Sequence, residues 1–339
     1  MTSQLATSHS PSKKILLLGA TGTIGRATAQ TLAARGHAVV CLVRPSTNVD
    51  TYGTVHKLQA ELGVADVRLG EATDPKSLRS VGLRGDSFDA IVSCLASRTG
   101  APRDAWAIDY QAHADVLSIA KDAGISQFIL LSAICVQKPR LEFQKAKLAF
   151  ENLLIESGLT YSVIRPTAYF KSLSGQIERL RQGKPFLLFG NGELTSCKPI
   201  SDADLAAFLA DCLDRPDRQN KVLPVGGPGD AITPKEQGEL LFELIGRPAR
   251  LRSIPISVVR AVTTTMCGLA HVLPSLAEKA EFARIAHYYA TESMLSWDPN
   301  SRAYSESATP SYGTETLREH YQRVITSGAS ISLRDHAMF

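Results

Sequence analysis

"KKILLLGATGTIGRATAQTLAARG", Lys13 to Gly36, is the stretch whose reading decides the fold. Ile15 to Leu18 is a short aliphatic run of the kind that forms a buried strand, and residues 23–35 have helical composition. Between them stand Gly19, Gly22 and Gly25, with Thr21, Thr23 and Ile24 filling the turn. Glycines at these points let the backbone bend sharply and come close to a pyrophosphate, which then rests on the free N–H groups of the helix N-terminus. Three glycines alone say little. Following a strand, opening a helix and preceding a second strand, they read as a dinucleotide-binding turn rather than an unliganded one.

The same alternation runs outward from this turn. Apolar runs at 14–19, 38–43, 66–70, 89–96, 127–132 and 160–166 predict buried parallel strands. Helical patterns at 23–35, 75–82, 103–124 and 140–157 lie between them. Repeated strand–helix–strand order predicts an α/β fold, a doubly wound parallel Rossmann sheet with helices on both faces. Past Pro166 the alternation loosens. Residues 201–213 form a capped amphipathic helix, 221–227 another strand and 233–246 a helix with Thr cap and early Pro; further helices are expected at 255–270, 275–290 and 313–326. The expected division is a tail at 1–12, a dinucleotide domain at 13–200, a smaller and mostly helical substrate lobe at 201–326, interwoven with it, and a tail at 327–339.

Composition narrows the class. The chain has 339 residues, 44% apolar and 21% charged, as in ordinary globular proteins. Its formal charge of +4 is mild and dispersed, which argues against nucleic acid and suits an anionic cofactor or a carboxylate substrate. Six cysteines (Cys41, Cys94, Cys135, Cys197, Cys212 and Cys267) form no C-x-x-C pair, so neither a zinc site nor an iron–sulfur cluster is expected, and the reducing power must come from an organic cofactor. The first dozen residues lack the apolar core of a signal peptide and are too short and arginine-poor for a transit peptide, so a cytoplasmic protein is expected. The apolar stretch Ile254–Leu273 carries Arg260 and His271; it predicts no membrane span but leaves a surface-seeking helix open.

Where the second strand ends, a cofactor with a free ribose hydroxyl wants an acid; the chain offers Arg44. A guanidinium matches a 2′-phosphate, so NADPH is favoured over NADH, against the plainer reading of a solvated arginine. Ala72 and Thr73, then Ala96 and Ser97, follow the third and fourth strands and are candidates for the adenine and ribose walls. Asp74 reads first as a helix cap.

This pattern resembles the short-chain dehydrogenase/reductase superfamily in its atypical, isoflavone-reductase-like branch. The strings "LLSAICVQKPRLEFQKAKLAFE", "SVIRPTAYFKSLSGQIERLRQGKPFLLFGNGELTSCKPISDADLAAF", "VLPVGGPGDAITPKEQGELLF" and "HYYATESMLSWDPNSRAYSESATPSYGTETL" narrow the likeness to the divinyl chlorophyllide 8-vinyl reductases, over nearly everything from Lys14 to Ile325. The resemblance implies NADPH-dependent reduction of the 8-vinyl group of a magnesium tetrapyrrole, 3,8-divinyl chlorophyllide a, to ethyl. It also bears on one departure. Ser132 and Lys147 match the superfamily's catalytic serine and lysine, but Phe143 occupies the place of its tyrosine acid. A ketone reductase must protonate an oxygen. Vinyl reduction forms no oxyanion, because the macrocycle delocalises the charge, so the resemblance implies that Phe143 is no defect.

The resemblance further implies that Lys147 holds the nicotinamide ribose, that Pro166 packs on the nicotinamide, and that the Thr167 and Ala168 amides hold its carboxamide. A flat apolar plate with a propionate needs aromatic walls and a rim cation. Phe143, Tyr169, Phe170 and Lys171, with Phe186, Phe189 and Lys198, are candidates, against the reading of the aromatics as core and the lysines as surface. His271 and His287 are alternatives for an axial magnesium contact or ordinary structural histidines. Two rival functions stay open: a reductase of another conjugated double bond, and a catalytically silent NADPH-binding sensor or assembly factor.

Overall fold

The computed structural model describes residues 11–45 and 51–327. Its main sheet contains β1 (Lys14–Leu18), β2 (Ala38–Val43), β3 (Asp66–Leu69), β4 (Ala90–Ser93), β5 (Gln127–Leu131) and β6 (Thr160–Pro166). β7 (Phe186–Phe189) lies outside it, and β8 (Lys221–Val225) returns to its edge. The seven strands run parallel in the order β3-β2-β1-β4-β5-β6-β8. The order reverses between β1 and β4, and ligands of such sheets bind at the strand carboxyl ends beside that reversal.

Period-2 geometry explains why the central strands are apolar along most of their length. Ile15, Leu17, Val39, Cys41, Ala90, Val92, Ile129 and Leu131 enter one core; Leu16, Leu18, Val40, Leu42, Ile91, Phe128 and Leu130 enter the other. Successive side chains point to opposite faces, and both faces are covered. The first helix, Thr23–Ala34, and the helix Asp202–Asp211 share one face through Leu32, Leu205 and Leu209. Helices His113–Asp122 and Glu142–Ile155 cover the other through Val116, Phe150 and Leu154.

The division expected at residue 200 falls inside this domain, because the helix Asp202–Asp211 packs on the first helix and β8 completes the sheet. The remaining lobe pairs β7 with β9 (Leu251–Ile254) in parallel. Phe170, Phe186, Leu241, Phe242, Leu317 and Tyr321 form its core. A helical hairpin, Ile256–Val272 and Ala277–Thr291, and the small ribbon of β10 (Ser296–Asp298) with β11 (Ala303–Ser305) follow. The helices Thr51–Leu62, Pro234–Ile245 and Leu317–Ser327 are also present; the first was not anticipated from the pattern. The expected tails lie, apart from Pro11, Ser12 and Ser327, outside the described residues.

Candidate active site

The phosphate turn is built by two glycines the fold cannot replace and one it can. Gly19 has φ +76°, and a Cβ there would sit 2.5 Å from the Cys94 carbonyl oxygen. A Cβ at Gly25 would sit 2.0 Å from the Gly19 carbonyl oxygen. Gly22 differs: its φ is −70°, and a Cβ would only meet the Gly19 oxygen at an ordinary 3.5 Å. Nothing in the protein requires glycine at that point, whereas a pyrophosphate lying against the helix start does. Thr21 and Thr23 stand at the open side, Ile24 is buried, and the Gly22 cap leaves the first-turn amides unshielded by any side chain. Lys171, in the short helix after β6, reaches this turn, its Nζ donating to Thr23 Oγ1 at 2.8 Å. Lys171, expected at a substrate propionate, thus lies at the glycine turn.

At the other end of the crevice Arg44 is 60% exposed and lies 3.3 Å from Glu71 at the end of β3. Ala72 is partly buried against the sheet core, Thr73 and Ala96 are exposed, and Asp74 caps the next helical turn by accepting from the Lys76 amide.

Beyond the reversal lies a buried polar network. Lys147 Nζ is 2.9 Å from Asp109 Oδ1; their side chains are 12% and 0% exposed. Asp109 also accepts from the Ser97 amide at 3.2 Å and the Ser97 hydroxyl at 2.5 Å. Lys147 is therefore a neutralised interior cation, not a solvated lysine like Lys145, which pairs with Glu142 on the surface. Behind the network, His113 Nδ1 contacts the Ile108 carbonyl at 2.9 Å and Nε2 contacts Ser93 Oγ at 2.8 Å. Burial and the nearby Lys147 charge lower its pKa to about 4. A neutral ring with Nδ1–H donating and Nε2 accepting from Ser93 satisfies both contacts.

Ser132 takes a different partner. Its hydroxyl donates to Glu151, which is fully buried and clamped by Arg165. Phe143, Lys147 and Glu151 recur every fourth residue of the helix Glu142–Ile155, so the helix presents a ring, a cation and an anion on one stripe toward the strand ends. Pro166 and Thr167 are buried at the end of β6; the Thr167 amide donates to the Val225 carbonyl and its hydroxyl to the Lys198 carbonyl. Ala168 follows, half-buried.

Phe143 meets Ile285 above Gly100 and packs with Cys135, Tyr288 and Tyr289. Tyr169 lies among Cys94, Cys135 and Tyr289, and burial raises its hydroxyl pKa. Phe170 is not part of this cluster. It is buried in the core of the smaller lobe together with Phe186, because the chain turns helical at Phe170 and swings the ring beneath the lobe. Lys198 is half-buried beside Thr167, and His271 uses Nδ1 on the carbonyl of Cys267 one turn back. The pattern did not reveal Asp109, Glu71, Glu151, Arg165 or Tyr289. The one available signal was an acid on the apolar side of 103–124, where the helix widens to i→i+5 bonding over Trp106–Ala112, a distortion frequent at functional sites.

A family model described as NAD(P)H-binding matches residues 19–216. The chain is 47% identical to the chloroplastic divinyl chlorophyllide a 8-vinyl-reductase of rice (Oryza sativa subsp. indica), over 93% of this chain and 79% of that one. The Arabidopsis thaliana protein of the same name is 44% identical over 96% of this chain and 81% of its own. The chain belongs to the divinyl chlorophyllide a 8-vinyl-reductase family. Among solved structures, the binary complex of leucoanthocyanidin reductase with NADPH from Vitis vinifera superposes with a TM-score of 0.66 at 16% identity, covering 92% of this chain and 99% of that one, a likeness of fold. In this chain the matched NAD(P)H-binding region contains the glycine turn, Arg44, the Lys147–Asp109 pair and the β6 end. Tyr289 and the helical hairpin lie beyond it.

Proposed function

We propose that this chain reduces the 8-vinyl group of 3,8-divinyl chlorophyllide a to ethyl, with NADPH as its reductant. The observation that carries the reading is Phe143 on the same helical stripe as a buried, charge-compensated Lys147. A site built to reduce a ketone needs an acid at the oxygen. This one keeps the cation and replaces the acid by a ring, which suits a flat apolar substrate whose own conjugated system accepts charge. Family membership at 44–47% identity supports the same reaction.

Bound NADPH supplies the hydride. The first-turn amides and Lys171 hold the pyrophosphate, Arg44 takes the 2′-phosphate, and Lys147, oriented by Asp109, donates to the nicotinamide ribose. Arg44 must exchange Glu71 for the phosphate, a trade of one carboxylate for a more highly charged partner. Phe143 and Tyr169 wall the macrocycle, and Lys198 is the rim cation for its propionate. Mixing the purified protein with NADPH and divinyl chlorophyllide a tests this. A blue-shifted Soret band with matching NADPH oxidation is expected; NADPH binding with an unchanged band would instead identify a silent nucleotide sensor.

The helix Ile256–Val272 supports a peripheral membrane contact on the cytoplasmic side. Its inner face is polar, with Thr263 bonded to the Ala283 carbonyl and Cys267 to Arg284. At 100° per residue, Val258, Val262, Leu269 and Val272 share the opposite face, and all are exposed, Val272 by 77%. No acid occurs between Glu243 and Glu278, while Arg247 and Arg252 stand in that interval. Among the described residues no helix is long and apolar enough to cross a membrane.

A further inference from the structure

The phenol missing at position 143 has a counterpart in the other lobe. Tyr289, on the helix Ala277–Thr291, packs in the same cluster as Phe143, Cys135, Leu141, Ile285 and Met294. Its hydroxyl faces the Cys135 thiol, and Lys147 lies within electrostatic reach of that thiol. Its neighbour Tyr288 does structural work, donating to the Cys135 carbonyl at 3.1 Å. The two rings meet edge to face at 5.7 Å, and Tyr289 alone of the pair is partly open to solvent.

We propose that Tyr289 is the catalytic acid that protonates the substrate carbon, so that the late helix supplies the hydroxyl Phe143 lacks; this rests on the 8-vinyl reading above. The other proton-bearing groups at the cleft are committed. Lys147 and Ser97 bind Asp109, and Ser132 binds Glu151. Burial pushes the Cys94 and Cys135 thiols up to about 12 and about 11 and raises the Tyr289 hydroxyl well above its ordinary value too, so its place beside Phe143, not its acidity, singles out Tyr289. Tyr169 packs against the sheet core beside Cys94, whereas Tyr289 packs in the cluster that holds Phe143.

The step balances. Hydride forms a C–H bond at the terminal vinyl carbon, and the C=C electron pair moves into the macrocycle. The Tyr289 O–H bond then breaks as the inner carbon takes the proton, and solvent reprotonates the phenolate. The sum is one vinyl group, one NADPH and one solvent proton giving one ethyl group and NADP⁺.

Single-turnover reduction of divinyl chlorophyllide a in ordinary and heavy water tests this, with NADPH affinity measured separately by fluorescence. Tyr289→Phe is expected to slow reduction roughly 10²-fold, to enlarge the solvent isotope effect as slower proton transfer from water becomes limiting, and to leave the NADPH Kd within about twofold. Where that variant fails to fold, 3-fluorotyrosine at position 289, near-isosteric and more acidic, is expected to change the single-turnover rate at unchanged NADPH affinity. A Tyr289→Phe or fluorotyrosine protein reducing the pigment at the wild-type rate overturns the assignment, as does collapse of turnover in Tyr169→Phe alone. Inactivity of the wild type with this pigment shows instead that the reaction itself was misread, and removes the role with it.

Discussion

The Lys147 ammonium and the Asp109 carboxylate lie 2.9 Å apart in the interior, with Ser97 donating twice to the same carboxylate. Removing one partner of such a pair leaves an uncompensated buried charge, which costs about 3–5 kcal/mol, while replacing both can be neutral. Lys147→Met is therefore expected to lower the melting temperature and abolish pigment reduction. Lys147→Met with Asp109→Asn is expected to regain stability but not turnover. Recovery of both in the double variant would show that Lys147 serves packing alone.

Gly22 and Gly25 should respond oppositely to alanine. Gly25→Ala forces a Cβ to 2.0 Å from a backbone oxygen and is expected to yield little folded protein. Gly22→Ala meets nothing closer than 3.5 Å, so melting stays near wild type while NADPH affinity falls more than tenfold. Calorimetry with a nucleotide titration checks both halves; unimpaired NADPH binding by Gly22→Ala would place the pyrophosphate elsewhere.

Arg44 and Glu71 set the nucleotide preference between them. Arg44→Ala removes a charge-assisted contact worth about 1.5–3 kcal/mol, a loss of roughly ten- to a hundredfold in NADPH affinity with NADH unaffected. Glu71→Gln frees the guanidinium and is expected to tighten NADPH binding. An unchanged NADPH-to-NADH ratio in both variants would mean that another residue reads the phosphate.

His113 makes the fold acid-sensitive. Its pKa falls from 6.5 to about 4 on burial, so between those values the unfolded chain binds a proton that the folded chain refuses. Stability from this group is complete above pH 6.5 and is lost as pH falls toward 4, by about 3 kcal/mol in all. His113→Gln removes that titration, and its melting temperature is expected to drop less between pH 7 and pH 5 than that of wild type. Parallel pH profiles for the two proteins would rule the effect out.

The outward apolar face of the helix Ile256–Val272 predicts lipid binding. The protein is expected to float with phosphatidylglycerol vesicles and to a smaller extent with phosphatidylcholine vesicles. Val262→Glu with Val272→Glu should abolish flotation and leave reduction of detergent-solubilised pigment intact. Equal flotation of the variant would assign that face to something other than lipid.

The sheet was readable in one dimension because a strand buried on both faces is apolar along its buried length, as β1 is after Lys14 and β2 is, and because Gly19 and Gly25 answer to steric limits set by close neighbours. Lys147 was readable for the same local reason, its four-residue spacing from Phe143 on one helix. The wall was not: Phe170 and Tyr169 are adjacent in the chain, yet one lies in a core and the other in the cleft, since a single change from extended to helical backbone separates them. Lys171 shows the same limit, its long side chain crossing to Thr23 from a residue 148 positions away.

What local chemistry alone determined, then, was the class of fold, the phosphate turn and the departure at Phe143, each written in spacings of a few residues. The pairing of Lys147 with Asp109, the clamp of Arg165 on Glu151 and the arrival of Tyr289 beside Phe143 came only with the folded chain. These contacts join segments whose separation in sequence carries no period, and their strength depends on burial that packing creates.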